Sequence, residues 1–143
     1  MSNTVPPRSY RIIAVVALIW MAFGVMAMVL DLFTDERQLA ELDEARRQLF
    51  ALRPQWVFAL YVIATLSGFA GALGLLLRRG WAVLAFTISL VAVIVQFAYI
   101  LGVMPAIELL GFATAATFPF VIFAIGAFLL WYSFHAKKKG WFV

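Results

Sequence analysis

The sequence predicts an all-α membrane protein: four transmembrane helices in an up-down-up-down, left-handed bundle, with an extra amphipathic helix in the first extracytoplasmic loop. Three observations predict it. Hydrophobic residues make up 66% of the 143 and charged residues 13%, and the mean hydropathy is +1.02. Soluble domains run at about half apolar and a quarter charged, and one domain's worth of chain has too little interior to hide this much apolar surface from water. Second, the chain contains four apolar runs near the length of about 20 residues that a helix needs to cross a bilayer. Third, charge is segregated: residues 29–56 hold six of the seven acidic residues, and Glu108 is the seventh.

The four spans are read as residues 12–30, 56–77, 81–103 and 112–134, with no charged residue inside any of them. A backbone in lipid has to satisfy its own hydrogen bonds, and an uninterrupted apolar run does so as a helix. In the first span Val25 and Ala27 form a weak small-residue cleavage pattern, but the apolar run is longer than a signal-peptide core. The spans and their connections form a single membrane domain over 1–143, ending in a basic tail at 135–143.

Orientation follows from Lys and Arg, which are retained in the cytoplasm. Arg8 and Arg11 precede the first span, Arg78 and Arg79 form the second turn, and Lys137, Lys138 and Lys139 lie in the tail. All seven fall on one side, with no acidic residue among them. The other side receives all seven acids and only Arg37, Arg46, Arg47 and Arg53. Both termini are therefore expected in the cytoplasm, in a bacterial inner membrane. The net charge of +4 is a topology signal and an attraction to anionic lipid headgroups rather than a nucleic-acid footprint. Tyr10, Trp81, Trp131, Tyr132 and Trp141 belong to the inner interface and Trp56 to the outer one. Trp20 stands apart, mid-span, as a packing or lipid-facing residue.

Between the first two spans, Leu39, Leu42, Ala45, Leu49 and Leu52 recur at three or four residues, which is one face of a helix. Residues 35–52 are therefore read as one amphipathic helix, with Thr34 as N-cap, an Asp43–Arg47 ion pair and Pro54 as terminator. Its mixed, slightly acidic polar face favours a lid over the bundle or a partner contact over simple lipid attachment.

Small residues mark the seams of the bundle, because membrane helices associate by close approach rather than by apolar burial. The first span offers Ala14, Ala17, Met21, Gly24, Met28 and Asp31. The second offers Ala64, Ser67, Gly71 and Gly74, with Ala64, Gly68 and Ala72 as a second close-packed face. The third offers Ala82, Ala85, Ser89, Ala92, Gln96 and Tyr99, and the fourth Ala113, Thr117, Ala124 and Ala127. Leu75 and Leu76 are expected to face lipid. In the outer half Asp31, Tyr61, Gln96, Tyr99 and Thr117 form a candidate polar pocket. Asp31 ends a helix, where the dipole opposes a carboxylate, so a partner such as Arg53 is expected.

Other chemistries find no support. The chain has no cysteine, and His135 is its single histidine, so neither a disulfide nor a protein metal site is expected. There is no phosphate-binding glycine loop and no nucleophile–base pair. Proton-driven transporters carry an ionisable residue at membrane depth, and these spans have none. No catalytic residue, cofactor or nucleic-acid partner is expected.

The segments WMAFGVMAMVLDLF, TDERQLAEL, RPQWVFAL, GFAGALGLLLRRGWAV, VQFAYIL and KKKGW, in this order, resemble a family of small four-helix bacterial inner-membrane proteins, some of which carry an automatic sugar-transporter label. The resemblance spans nearly the whole chain and implies a fold and a location. The residues themselves point to a non-enzymatic accessory or interaction subunit, with a homo-oligomer or another membrane protein as partner. The alternative is binding or transport of a small polar solute through the outer pocket.

Overall fold

A computed structural model describes residues 5–143. Its architecture follows from the apolar runs, which close their hydrogen bonds within each segment and so become helices. The elements are α1 (Arg8–Leu32), α2 (Glu36–Glu41), α3 (Glu44–Leu52), α4 (Gln55–Leu76), α5 (Ala82–Gly102), α6 (Ala106–Leu110) and α7 (Phe112–Lys138). There is no strand among the described residues. Four helices, α1, α4, α5 and α7, are long and apolar enough to cross a membrane.

The helices pack in the order α1, α4, α5, α7. The α4–α5 interface is the tightest, and glycine is the cause. A Cβ on Gly71 would lie 2.8 Å from the Phe86 ring, one on Gly74 2.7 Å from Trp81, and one on Gly68 3.1 Å from the Ser89 hydroxyl. These pairs run in opposite senses along the two helices. Ser89 donates across the interface to the Ala64 carbonyl at 2.8 Å. Gly68 also admits Met21 of α1, whose sulfur would be 2.8 Å from a Cβ there.

On α1 and α5 the expected seam residues range from buried to half-buried, Met21 and Tyr99 among the latter. Ala14, Ala17, Met28, Ala82, Ser89, Ala92 and Gln96 are buried, and Gly24 and Ala85 are half-buried. In α4 the buried face runs through Ala64, Gly68, Gly71, Ala72 and Leu75, while Ser67 is half-buried and bonds back to the Ile63 carbonyl of its own helix. Leu75 is fully buried in the main core, which corrects its expected lipid-facing position. The reason is close approach: glycines beside it bring the neighbouring helices to its own depth. In α7 only Ala127 of the expected seam is even half-buried. Ala113, Thr117 and Ala124 are exposed, and the buried residues are Ala115, Leu129, Tyr132, Ser133 and Ala136. That face carries bulky residues near the chain end, so the small-residue rule does not find it.

The single amphipathic helix expected at 35–52 is two helices. Leu42 and Asp43 are extended, and Asp43 caps α3 by accepting from the Arg46 N–H at 3.1 Å. Arg47 does not pair with Asp43. Its guanidinium bonds the carbonyls of Leu39 at 3.2 Å and Leu42 at 2.9 Å, satisfying the end of α2. Asp43 pairs with Arg46 instead, at 2.9 Å. The N-cap of α2 is Asp35, in a capping box with Gln38. Thr34 donates back to the Leu30 carbonyl at 3.1 Å, finishing α1. α3 packs on α6, a short helix in the connection between α5 and α7.

At the other end of the bundle the chain ends meet. Tyr10 stacks on Tyr132 with ring centroids 6.0 Å apart and meets the edge of Trp141 at 5.5 Å. Its hydroxyl donates to the Leu75 carbonyl. Arg78 has a φ of 60°, a left-handed position where glycine is usual. Two bonds to the tail hold it there: Arg78 Nε donates to the Trp141 carbonyl, and the Val143 N–H donates to the Arg78 carbonyl, each at 2.7 Å. Arg78 is therefore a tail-binding residue, beyond the topology role expected of it. Arg8, Arg11, Arg79, Lys137, Lys138 and Lys139 are exposed around this same end.

Candidate functional site

The sequence placed five polar residues in one pocket, and the structure divides them. Asp31 lies in the last turn of α1, where free carbonyls make a carboxylate unfavourable. Arg53, at the end of α3, compensates it with two parallel bonds of 2.9 Å, one to each carboxylate oxygen. The two side chains are 19% and 20% exposed, so the pair is shielded enough for its geometry to matter. The Arg53 guanidinium also lies over the rings of Phe50 at 4.8 Å and Phe58 at 4.9 Å. Arg53 is thus held on three sides. Phe50 and Phe58 have no part in the sequence reading; the signal was their placement on either side of the Arg53–Pro54 pair, where two helix ends converge.

Tyr61 stands half-buried on α4, within electrostatic reach of both Asp31 and Arg53. None of the other three lines the cavity beside Tyr61 or bonds to this pair. Tyr99 meets the edge of Trp56, centroids 4.6 Å apart. Gln96 is buried but shares no side-chain hydrogen bond with a described residue. Thr117 is exposed, and its hydroxyl donates to Ala113 of its own helix. A hydroxyl so satisfied within its helix has no need of a polar interior.

What the fold does build is an apolar crevice. α1 and α7 share a core at the end with Tyr10 and Tyr132 but are not close-packed along their length. The gap holds a cavity of about 340 Å³, within the range of ligand sites. Its wall comes from Trp20, Met21, Phe23, Gly24 and Ala27 on α1; Tyr61, Ala64 and Thr65 on α4; Ser89, Leu90 and Val93 on α5; and Phe118, Ile122 and Gly126 on α7. A second hollow of about 300 Å³ continues between α1 and α7 toward Phe128 and Leu129, with Trp20 on the border of both. Trp20, read from sequence as a packing residue, divides the two spaces.

The polar atoms in this wall are few and mostly committed. Ser89 bonds Ala64, and Thr65 bonds the Tyr61 carbonyl at 3.0 Å. The Tyr61 hydroxyl and the Trp20 indole N–H are the exceptions, neither with a hydrogen-bond partner among the described residues. The crevice is therefore an apolar slot with the Tyr61 donor near its acidic end and the Trp20 indole at its border with the second hollow. Among the described residues no group of His, Cys, Asp or Glu is arranged to hold a metal ion.

No protein family, curated protein or solved structure matches the chain.

Proposed function

We propose that this chain is a non-enzymatic, multi-pass protein of the bacterial inner membrane that serves as an accessory or interaction subunit. In this reading it is an up-down-up-down, left-handed bundle with both termini in the cytoplasm, and residues 31–55 outside. The resemblance to small four-helix inner-membrane proteins belongs to the same proposal.

The observation that carries it is the uneven cover of the four long helices. In the most apolar stretch of each helix α4 is 33% buried and α7, the longest, 11%, below α1 at 17% and α5 at 22%. The half of α7 nearer α6 exposes Phe118, Phe120, Val121 and Phe123 beside the small residues Ala113 and Ala124. Small residues next to large apolar ones suit close approach of a further membrane helix. The basic residues gathered around the joined chain ends support the cytoplasmic assignment of that end.

Binding of a small polar solute is the weaker reading. It draws on Asp31 and Tyr61, but Arg53 already neutralises Asp31, and Thr117 faces away.

The test is purification from native membranes in mild detergent. A discrete complex with a second membrane protein is expected, and Ala124→Trp should release that protein while leaving the thermal stability of this chain unchanged. A homo-oligomer stabilised saturably by a polar metabolite would favour the solute reading instead. Orientation is checked separately in intact cells. A cysteine at Glu44 should react with an impermeant thiol reagent, and a reporter after Val143 should behave as cytoplasmic.

A further inference from the structure

We propose that the crevice between α1 and α7 binds a single hydrocarbon chain of a membrane phospholipid, with the Tyr61 hydroxyl donating to the ester carbonyl at the head of that chain. The assignment rests on the membrane-spanning reading of the four helices.

The medium at the mouth of the crevice is the first argument. Phe23 on α1 and Phe118 on α7 line it and are 59% and 62% exposed, so the slot opens sideways between the two helices. In a bilayer that opening faces acyl chains. Water fills such a space poorly, since a buried water needs two to four polar partners and the wall offers few: the Tyr61 hydroxyl, the Trp20 indole N–H, and the Ser89 and Thr65 hydroxyls, which already donate to carbonyls.

Shape supplies the second argument, and it separates a lipid chain from a protein helix. α1 and α7 are joined at one end by the stacked Tyr10 and Tyr132 rings, centroids 6.0 Å apart. A helix with its side chains is about 10–12 Å across and could not run along a slot closed at that end. A flexible chain can enter from the open half and stop. Met21, whose thioether reaches across to Gly68, is an adaptable wall for such a ligand.

Depth is the third argument. Tyr61 is six residues into α4, about 9 Å along the helix at 1.5 Å per residue. That places its hydroxyl near the boundary of the hydrocarbon layer, where ester carbonyls lie. Asp31 and Arg53 beyond it satisfy each other, so the rim carries no net charge and does not require a charged headgroup.

The test uses the full chain reconstituted in phosphatidylcholine vesicles containing a phosphatidylcholine with a photoactivatable diazirine acyl chain. Adducts are located by peptide mass spectrometry. Labelling is expected at Val93 and Ile122 inside the crevice, and at Leu84 and Val91, which face outward. Gly24→Leu is the blocking variant: a Cβ there meets only Thr65 at an ordinary 3.9 Å, and Gly24 lies in the crevice wall, so the larger side chain takes up room in the slot. It should abolish the crevice adducts and leave those at Leu84 and Val91 unchanged. Tyr61→Phe should lower crevice labelling several-fold, and equal labelling would remove the carbonyl bond from the assignment. Adducts confined to the outward residues in every variant would overturn the proposal while keeping the helices in lipid. No adducts at Leu84 and Val91 would overturn the membrane-spanning reading with it. Crosslinks through Val93 and Ile122 to a second copy of the chain would give the slot to a protein helix.

Discussion

At the scale of single residues, Asp31 and Arg53 show how an unfavourable position is made tolerable. The carboxylate sits where the α1 dipole repels it, and the bidentate guanidinium offsets that. Removing one partner leaves a largely shielded charge unpaired, which costs more than the pair itself contributes. Arg53→Ala should therefore destabilise the protein by about 2 kcal/mol, and Asp31→Asn by less, since it leaves no buried carboxylate. The double variant should be no worse than Arg53→Ala alone. Thermal unfolding of the three variants in one detergent measures this, and strictly additive losses would show that the pair is not coupled. Gln96 is the opposite case. The residue is largely buried and makes no side-chain hydrogen bond to a described residue, yet its amide is not a fully buried, unsatisfied group, so Gln96→Leu should change stability by less than about 1 kcal/mol, or raise it. A large loss in the same assay would reveal an interhelical bond that the present geometry lacks.

At the scale of elements, the α4–α5 hairpin is the rigid unit of the molecule and α7 the loosely covered one. The hairpin owes its rigidity to glycines that admit rings. At Gly71 even a methyl group would press on the face of Phe86, so Gly71→Leu should lower stability by about 1–3 kcal/mol through overpacking. Gly24→Ala, whose methyl would meet only Thr65 at an ordinary 3.9 Å, should be near neutral. Leu75→Ala should cost about 2 kcal/mol or more, the usual range for a buried leucine. Equal melting temperatures for Gly71→Leu and Gly24→Ala would mean that α4 and α5 are further apart than described. Small residues at regular spacing located the seams of α1 and α5 because both meet neighbours through close contacts. The same rule failed on α7, whose inner contacts use Leu129 and Tyr132, and whose small residues lie on the uncovered side.

At the scale of the whole molecule, the ends of the chain are fastened together. Tyr10 contacts both Tyr132 and Trp141, and the tail bonds Arg78 in its left-handed conformation. Deleting Trp141–Val143 removes the Trp141 ring's contacts with Tyr10, Tyr132 and His135 and three hydrogen bonds, two of them to Arg78, and so loosens the hold on Arg78 in its left-handed conformation. The expected loss is about 2–3 kcal/mol. Arg78→Gly in the truncated chain should recover about 1 kcal/mol by relieving the backbone. No recovery, read from the same thermal transitions, would mean that the strain is carried elsewhere. The clasp also explains the shape of the crevice: α1 and α7 are pinned at one end and free to part along the rest.

The sequence by itself determined the four long apolar helices and their approximate ends, the segregation of charge and the need for a cation beside Asp31. Each of these is local or additive: a run of apolar residues, a count of lysines and arginines, a carboxylate at a helix end. Only the tertiary structure decided that residues 35–52 break at Leu42 and Asp43, that Leu75 is core, that Thr117 leaves the polar cluster and that a slot separates α1 from α7. The physical reason is the solvent. In water, hydrophobicity marks the buried face of a helix. In lipid every face of α1, α4, α5 and α7 is apolar, so burial is decided by shape against a particular neighbour, and that information exists only once the helices are assembled.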